Sequence, residues 1–449
     1  MDFMLILQLI VLFGAIFLGI RLGGIAIGYA GGLGVIVLGL CLGMKPGQIP
    51  WDVILIIMAV IAAISAMQIA GGLDYLVQIA ERILRSNPKY INFLAPTVTY
   101  LLTILAGTGH TAFSMIPVIV EVAKEQNIKP SVPLSIAVVA SQIAITASPV
   151  SAAVVYMTGV LEPLGWSYPL LLAIWIPTTL IACMLTAFII GKLSNLDLSK
   201  DPVYQERVKN GLVKASVGAQ NIKLKEGAKL SVLFFVIGVI FVVLYATAIS
   251  KIGGKPVFIE NVIVGRDAAI MSAMLTIATL IVIFCKVDVS RIPETSSVFK
   301  SGMVACVCVF GVAWLGNTFV SGHETSIKNL AANLVEQKPW LLAVAFFFAS
   351  TLLYSQAATA KAIVPTIITA LAISPENAGS SYILVASFAA VSALFVLPTY
   401  PTLLGAVQMD DTGSTRLGKY IFNHAFLIPG VLAISLSVAL GFLVVYIVG

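Results

Sequence analysis

The chain has little charge. Asp, Glu, Lys and Arg make up only 10% of its 449 residues, against 59% hydrophobic residues and a mean hydropathy of +1.04. A soluble fold of this length could not bury so much apolar surface, so composition excludes a soluble protein and implies a polytopic membrane protein. No nucleic-acid partner is expected. The five cysteines (Cys41, Cys183, Cys285, Cys306, Cys308) show no CxxC spacing, which argues against a disulfide framework or a metal cluster and leaves them as small core residues. Histidine is scarcer still, with three residues in all. The one approach to a His-Glu-x-x-His zinc motif, His323-Glu324-Thr325-Ser326-Ile327, fails it, and no apolar span holds a pair of aspartates. An intramembrane enzyme is therefore not expected, and neither is a cofactor or a metal. The first apolar stretch, Phe3 to Ile20, follows Asp2 rather than a basic leader and reaches Arg21 without a small-residue cleavage site, so it is expected to be a retained helix.

What the chain does have is a repeated pattern of polar breaks inside apolar segments. In the first half these are Ala106-Gly-Thr-Gly-His-Thr111, leading to Pro117, and Thr146-Ala-Ser-Pro-Val-Ser151; in the second, Tyr354-Ser-Gln-Ala-Ala-Thr-Ala-Lys361, leading to Pro365, and Leu397-Pro-Thr-Tyr-Pro-Thr402. Pro117 and Pro149 lie 32 residues apart, Pro365 and Pro401 lie 36 apart, and the two pairs are offset by 248 and 252 residues. Unwound backbone cannot face lipid and is tolerated only where it lines a cavity or is buried in protein. Matched breaks in two halves therefore point to a transporter's binding site.

Apolar spans are expected at about 3–20, 23–43, 52–72, 132–161, 168–191, 229–250, 266–285, 299–320, 380–409 and 420–447, each long enough for roughly 30 Å of hydrocarbon. The regions 91–123 and 339–373, which hold the first break of each half, are treated as re-entrant hairpins. With the N-terminus outside, nineteen of the 26 Lys and Arg then fall on the inner side, six on the outer side, and Lys361 within the membrane. Full crossings by the hairpins would put the basic segments 73–90 and 192–228 on opposite faces, so the hairpin reading is preferred. The expected fold is all-α and polytopic: two inverted repeats (1–191 and 229–449) of five crossings and one hairpin each, with interrupted helices at the site. A cytoplasmic linker (192–228) joins them and both termini are periplasmic. Two amphipathic stretches, Leu73 to Arg85 and Ser326 to Gln337, are expected at the lipid interface.

The breaks carry hydroxyls, an amide, an imidazole and an ammonium, and no carboxylate. Donors placed where half-helices begin suit an anion, since helix N-termini present free N–H groups and a positive dipole end; a cation or a proton relay would call for a buried Asp or Glu. The candidate substrate-binding residues are Thr108, Gly109, His110, Ser148, Pro149, Ser151, Ser355, Gln356, Thr359, Lys361, Thr399, Tyr400, Pro401 and Thr402. Lys361 is the one Lys or Arg inside an apolar span, so either it neutralises substrate or stands in for a coupling cation, or it snorkels to the interface. His110 fits a ligand and a structural hydrogen-bonding residue equally well. Asp410-Asp411-Thr412-Gly413 is expected to be a solvated inner turn.

At these residues the chain resembles the anaerobic C4-dicarboxylate transporter (Dcu) family, nearest its DcuA type. The matching stretches include Arg21-Leu-Gly-Gly-Ile-Ala-Ile-Gly, Ser65-Ala-Met-Gln-Ile-Ala-Gly-Gly-Leu-Asp-Tyr, Ile145-Thr-Ala-Ser-Pro-Val-Ser-Ala-Ala-Val-Val, Tyr354-Ser-Gln-Ala-Ala-Thr-Ala-Lys and Gln408-Met-Asp-Asp-Thr-Gly. The resemblance implies a bacterial inner-membrane exchanger of fumarate, succinate, malate and aspartate, set in membrane lipid, with an elevator-like hairpin domain and a scaffold that leaves room for a homodimer. The alternatives are a sodium- or proton-coupled symporter, or a transporter that doubles as co-sensor of a membrane kinase. Tips that read Gly-Thr-Gly-His and Ser-Gln-Ala depart from the Ser-Asn-Thr tips of sodium-binding relatives, which weighs against sodium.

Overall fold

The computed structural model describes residues 3–22, 25–49, 51–213, 224–248, 266–323, 325–326, 338–371, 373–398, 400–418 and 422–448. Helices dominate, and pairing between extended segments is confined, among the described residues, to three isolated bridges. The first half comprises α1 (Phe3–Leu22), α2 (Ala26–Ile36, prolonged by a π-turn at Val37–Cys41), α3 (Trp51–Ile69), α4 (Gly72–Ser86), a hairpin of α5 (Ile91–Ala106) and α6 (Ala112–Glu125), then α7 (Ser131–Ile143), α8 (Ala152–Leu161) and α9 (Tyr168–Leu193). After α10 (Pro202–Lys209), the second half holds α11 (Ala228–Ala248), α12 (Arg266–Phe284), α13 (Arg291–Thr295), α14 (Ser297–Gly322), a hairpin of α15 (Leu341–Leu353) and α16 (Gln356–Ala370), then α17 (Tyr382–Ser387), a 3-10 segment Phe388–Phe395, α18 (Pro401–Met409) and α19 (Leu427–Val448).

Among the described residues five helices are long and apolar enough to cross a membrane, or six if α3 and α4 count as one bent span. Several of the ten expected spans are instead shorter or broken apolar helices. The 132–161 span is a stretch from Ser131 to Leu161 whose most apolar window is wholly buried inside the molecule, whereas that of α19 is only 28% buried. The first therefore forms the axis and the second the lipid-facing rim. The expected span 380–409 is divided into α17, the 3-10 segment and α18, because Pro398 and Pro401 remove two backbone donors within four residues.

At the junction of α3 and α4 the chain turns by 78° through Gly71, whose φ of 88° favours glycine. Helix α4 buries Leu73, Ala80 and Leu84 and exposes Asp74 and Arg82, as its helical spacing predicts. The expected counterpart lies at 327–337, outside the described residues, apart from Ser326. Helices α2 and α14 approach backbone to backbone: a Cβ on Gly31 would stand 2.4 Å from the Gly311 carbonyl carbon.

The segment after α9 is more than a bland tether. Leu198 is buried, and backbone bonds join Leu198 N–H to the Asn127 carbonyl (3.0 Å) and Lys129 N–H to the Leu196 carbonyl (2.7 Å). Asp201 pairs with Lys129 and caps α10 by accepting from the Val203 and Tyr204 N–H groups. Burial would raise the Asp201 pKa, but the Lys129 ammonium and the cap bonds carry it below the usual carboxylate value. The linker residues 214–223 lie outside the description. The inner turn also departs from expectation: Asp410 is 2% exposed, and its carboxylate accepts from the Thr412 N–H and hydroxyl, the Ser414 hydroxyl and the Thr415 N–H. That knot is stable because both buried carboxylate oxygens of Asp410 are matched. Ser414 Oγ in turn accepts from Ser131 N–H at the start of α7.

Candidate functional site

The site is built at the two hairpin tips. Helix α5 ends at Ala106, and Gly107 adopts φ 68° while donating its N–H to the Thr103 carbonyl (2.8 Å). A Cβ at Gly107 would meet Val150 Cγ2 at 2.9 Å, so the first tip lies directly against the break between α7 and α8. There the backbone runs extended at Ser148 and Ser151. Ser148 Oγ donates to the Ile104 carbonyl (2.6 Å), and Ser151 Oγ donates to the Ile145 carbonyl (2.7 Å) while accepting from Val154 N–H. The Pro149 carbonyl accepts from the Tyr168 hydroxyl (2.9 Å). These bonds hold the break open and commit both serine hydroxyls to backbone carbonyls.

The second tip forms at Tyr354, also left-handed (φ 54°), whose N–H reaches the Ser350 carbonyl at 3.2 Å. Ser355 Oγ accepts from Ala358 N–H (3.2 Å), and Thr359 Oγ1 donates to the Ser355 carbonyl (2.7 Å). Helix α18 starts at Pro401, preceded by extended Tyr400. Between the halves stands Gln142 of α7, fully buried: its amide nitrogen donates to Thr402 Oγ1 (3.1 Å), and its backbone carbonyl accepts from the Gln356 amide (3.1 Å). A Cβ on Gly109 would lie 2.8 Å from Gln142 Nε2, which makes glycine the residue that fits there.

These elements enclose a cavity of about 540 Å³. Gly107 and Thr108 line it from the first tip, Ser355 and Gln356 from the second, and Tyr400 and Pro401 from the start of α18; α3 and α14 supply an apolar wall opposite. Among the described residues no Asp or Glu lines it. Five predicted residues therefore share one wall: Thr108, Ser355, Gln356, Tyr400 and Pro401. Gly109, Ser148, Pro149, Ser151, Thr359 and Thr402 stand behind it, buried. Lys361 is half-buried and off the lining, with its ammonium 5.3 Å from the centre of the Tyr156 ring. The His110 backbone lies in the 3-10 turn Gly109–Thr111, and its side chain, like Thr399, is outside the description. Sequence reasoning missed Gln142, Tyr354 and Lys300. Gln142 carried a signal, being the one carboxamide between 131 and 161.

An all-helical, multi-pass membrane protein with a cavity enclosed between two hairpin tips has the form of a transporter, and the comparisons agree. A family model described as the anaerobic C4-dicarboxylate membrane transporter matches residues 4–449. The chain belongs to that family. The C4-dicarboxylate transporter DcuA of Wolinella succinogenes is 67% identical over 98% of this chain and 99% of its own length. The DcuA of Escherichia coli K12 is 57% identical, covering 98% of each chain. The anaerobic C4-dicarboxylate transporter DcuB of Escherichia coli O6:H1 is 38% identical, with 97% of each covered.

Proposed function

We propose that this chain exchanges C4-dicarboxylates, with fumarate, succinate, malate and aspartate as its substrates, across a bacterial inner membrane. The observation that carries the proposal is the cavity between the two hairpin tips, where hydroxyl and amide groups from both halves face an otherwise apolar wall and no carboxylate is found among the described lining residues. A diacid of four carbons is small enough for the space and supplies the anionic acceptors that these donors lack. A carboxylate on the lining would repel it, and none is there among the described residues.

In this reading the two halves are inverted repeats joined by the cytoplasmic segment 192–228, and both termini are periplasmic. The hairpins, α7, α8, the 3-10 segment and α18 move together as the carrier, and α1 to α3 with α11, α12 and α14 remain as scaffold. The diacid spans Thr108 on one tip and Ser355 and Gln356 on the other, and Lys361 compensates charge from behind the wall. Exchange follows because the empty carrier would take the uncompensated Lys361 charge through hydrocarbon, at a cost the loaded carrier avoids. The test is counterflow of labelled fumarate and aspartate into proteoliposomes preloaded with succinate, with and without a sodium gradient. Uptake that requires internal diacid and ignores sodium is expected; sodium-driven uptake into empty vesicles would overturn exchange in favour of symport.

A further inference from the structure

The geometry points to Lys300 as a further positioning residue for the diacid, an ammonium that draws it into the cavity from one face of the membrane only. This rests on the exchange reading above. Lys300 lies in the first turn of α14, its side chain is exposed, and it lines the same cavity as the tips, beside Gln408 and Met409 at the end of α18. Its backbone is firmly held. Ser296 Oγ accepts from Phe299 N–H (3.1 Å), and Gln68 Oε1 accepts both from Ser296 Oγ (2.6 Å) and from Val298 N–H (3.1 Å).

Other cations at the basic end of the molecule are spent on acids. Arg85 pairs with Glu81 and Glu125, Lys124 with Glu121 and Asp411, and Lys129 with Asp201. Among the described residues Lys300 makes no ion pair and is the one cationic side chain on the cavity wall. The N-terminal dipole of α14 adds a field of the same sign. Apolar walls focus that field, so a dianion is concentrated at this mouth. Helix α14 packs most heavily against α2 and α3 and touches the hairpins more lightly, so Lys300 is assigned to the scaffold while the carrier moves. Its influence is then confined to the face on which the cavity opens beside Gln408, the basic and hence cytoplasmic end.

The experiment uses the full chain in proteoliposomes of fixed orientation. Succinate counterflow is measured from each face, at low and high salt, for the wild type, Lys300→Gln and Lys300→Arg. At low salt Lys300→Gln is expected to raise KM at the cytoplasmic face by about three- to tenfold, with Lys300→Arg close to wild type. The difference should shrink at high salt, and KM at the other face should stay unchanged, which also reports a folded carrier. An equal change on both faces, no change, or a change insensitive to salt would overturn the assignment. A wild type without counterflow would defeat the exchange reading itself, whereas wild-type exchange with an unaltered Lys300→Gln defeats only the role of Lys300.

Discussion

The two hairpin tips reach the same backbone conformation by different means. Each first helix ends in a left-handed residue that donates its N–H to a carbonyl four residues back, Gly107 in one half and Tyr354 in the other. At the first tip the neighbouring break comes so close that a Cβ would meet Val150 at 2.9 Å, and glycine is required. At the second the left-handed cost of about 1–2 kcal/mol is accepted, and in return a buried phenol ring stands on the cavity wall with its centroid 6.3 Å from that of Tyr400. The first tip is thus positioned by backbone contact and the second by a side chain. The helices that follow the second breaks differ in the same way: Ser151 caps α8 with a hydrogen bond, whereas α18 relies on Pro401 to fix its first turn.

The strongest way to break this comparison is Gly107→Val. It combines a left-handed β-branched residue with overpacking against Val150, and about 2–4 kcal/mol of stability should be lost, seen as a lower midpoint of thermal unfolding in detergent together with lost counterflow. Tyr354→Gly relieves the left-handed cost but deletes a buried ring, so its unfolding midpoint should fall less than that of Gly107→Val while substrate KM shifts several-fold through the altered wall. Equal damage to folding at both tips would show that the distinction is false.

Gln142→Leu comes next. It leaves the buried Thr402 hydroxyl without its amide partner and should cost about 1–3 kcal/mol; a thermal midpoint indistinguishable from wild type would mean that the Gln142 link between the halves carries no stability. Ser151→Ala removes a cap and a bond to the Ile145 carbonyl and should cost about 1 kcal/mol. Pro401→Ala should cost less, because only unfolded-state entropy changes.

The smallest effects are those of pH at the strapped linker. Hydrogen bonds from Ser199, Lys200 and Asn127 hold the Asp197 carboxyl down at about 2, against an ordinary 3.8. Its folded pKa is depressed, so its contribution is present above about pH 4 and lost as pH falls through 2. Burial pulls the Lys124 ammonium down, but Asp411 and Glu121 more than offset this and leave it above its ordinary 10.5. Its contribution is complete below that value and lost as pH rises through the higher folded pKa. Between pH 5 and 9 both contacts should therefore persist, and protease cleavage at residues 194–209 should accelerate as pH falls below that window, through Asp197.

The break segments were legible because helix punctuation is local. Gly107, Pro149, Pro398 and Pro401 interrupt periodicity wherever they occur, and an apolar chain with polar interruptions can place them only against protein or a cavity. The amphipathic face of α4 was readable for the same reason. The membrane environment, the transporter class and the absence of acid from the breaks followed from composition and these short motifs alone. Which polar side chains face the cavity did not. Ser148 and Thr402 look like Thr108 and Ser355 in sequence, and only the approach of Ile104 and Gln142, from other parts of the chain, engages their hydroxyls behind the wall. Asp410 seemed solvated because its partners Ser414 and Thr415 give no signal until the loop closes on itself. Local conformation depends on φ, ψ and the neighbouring residues, which sequence determines. The direction of a side chain's hydrogen bond depends on which distant backbone atom arrives, and that was decided by tertiary packing.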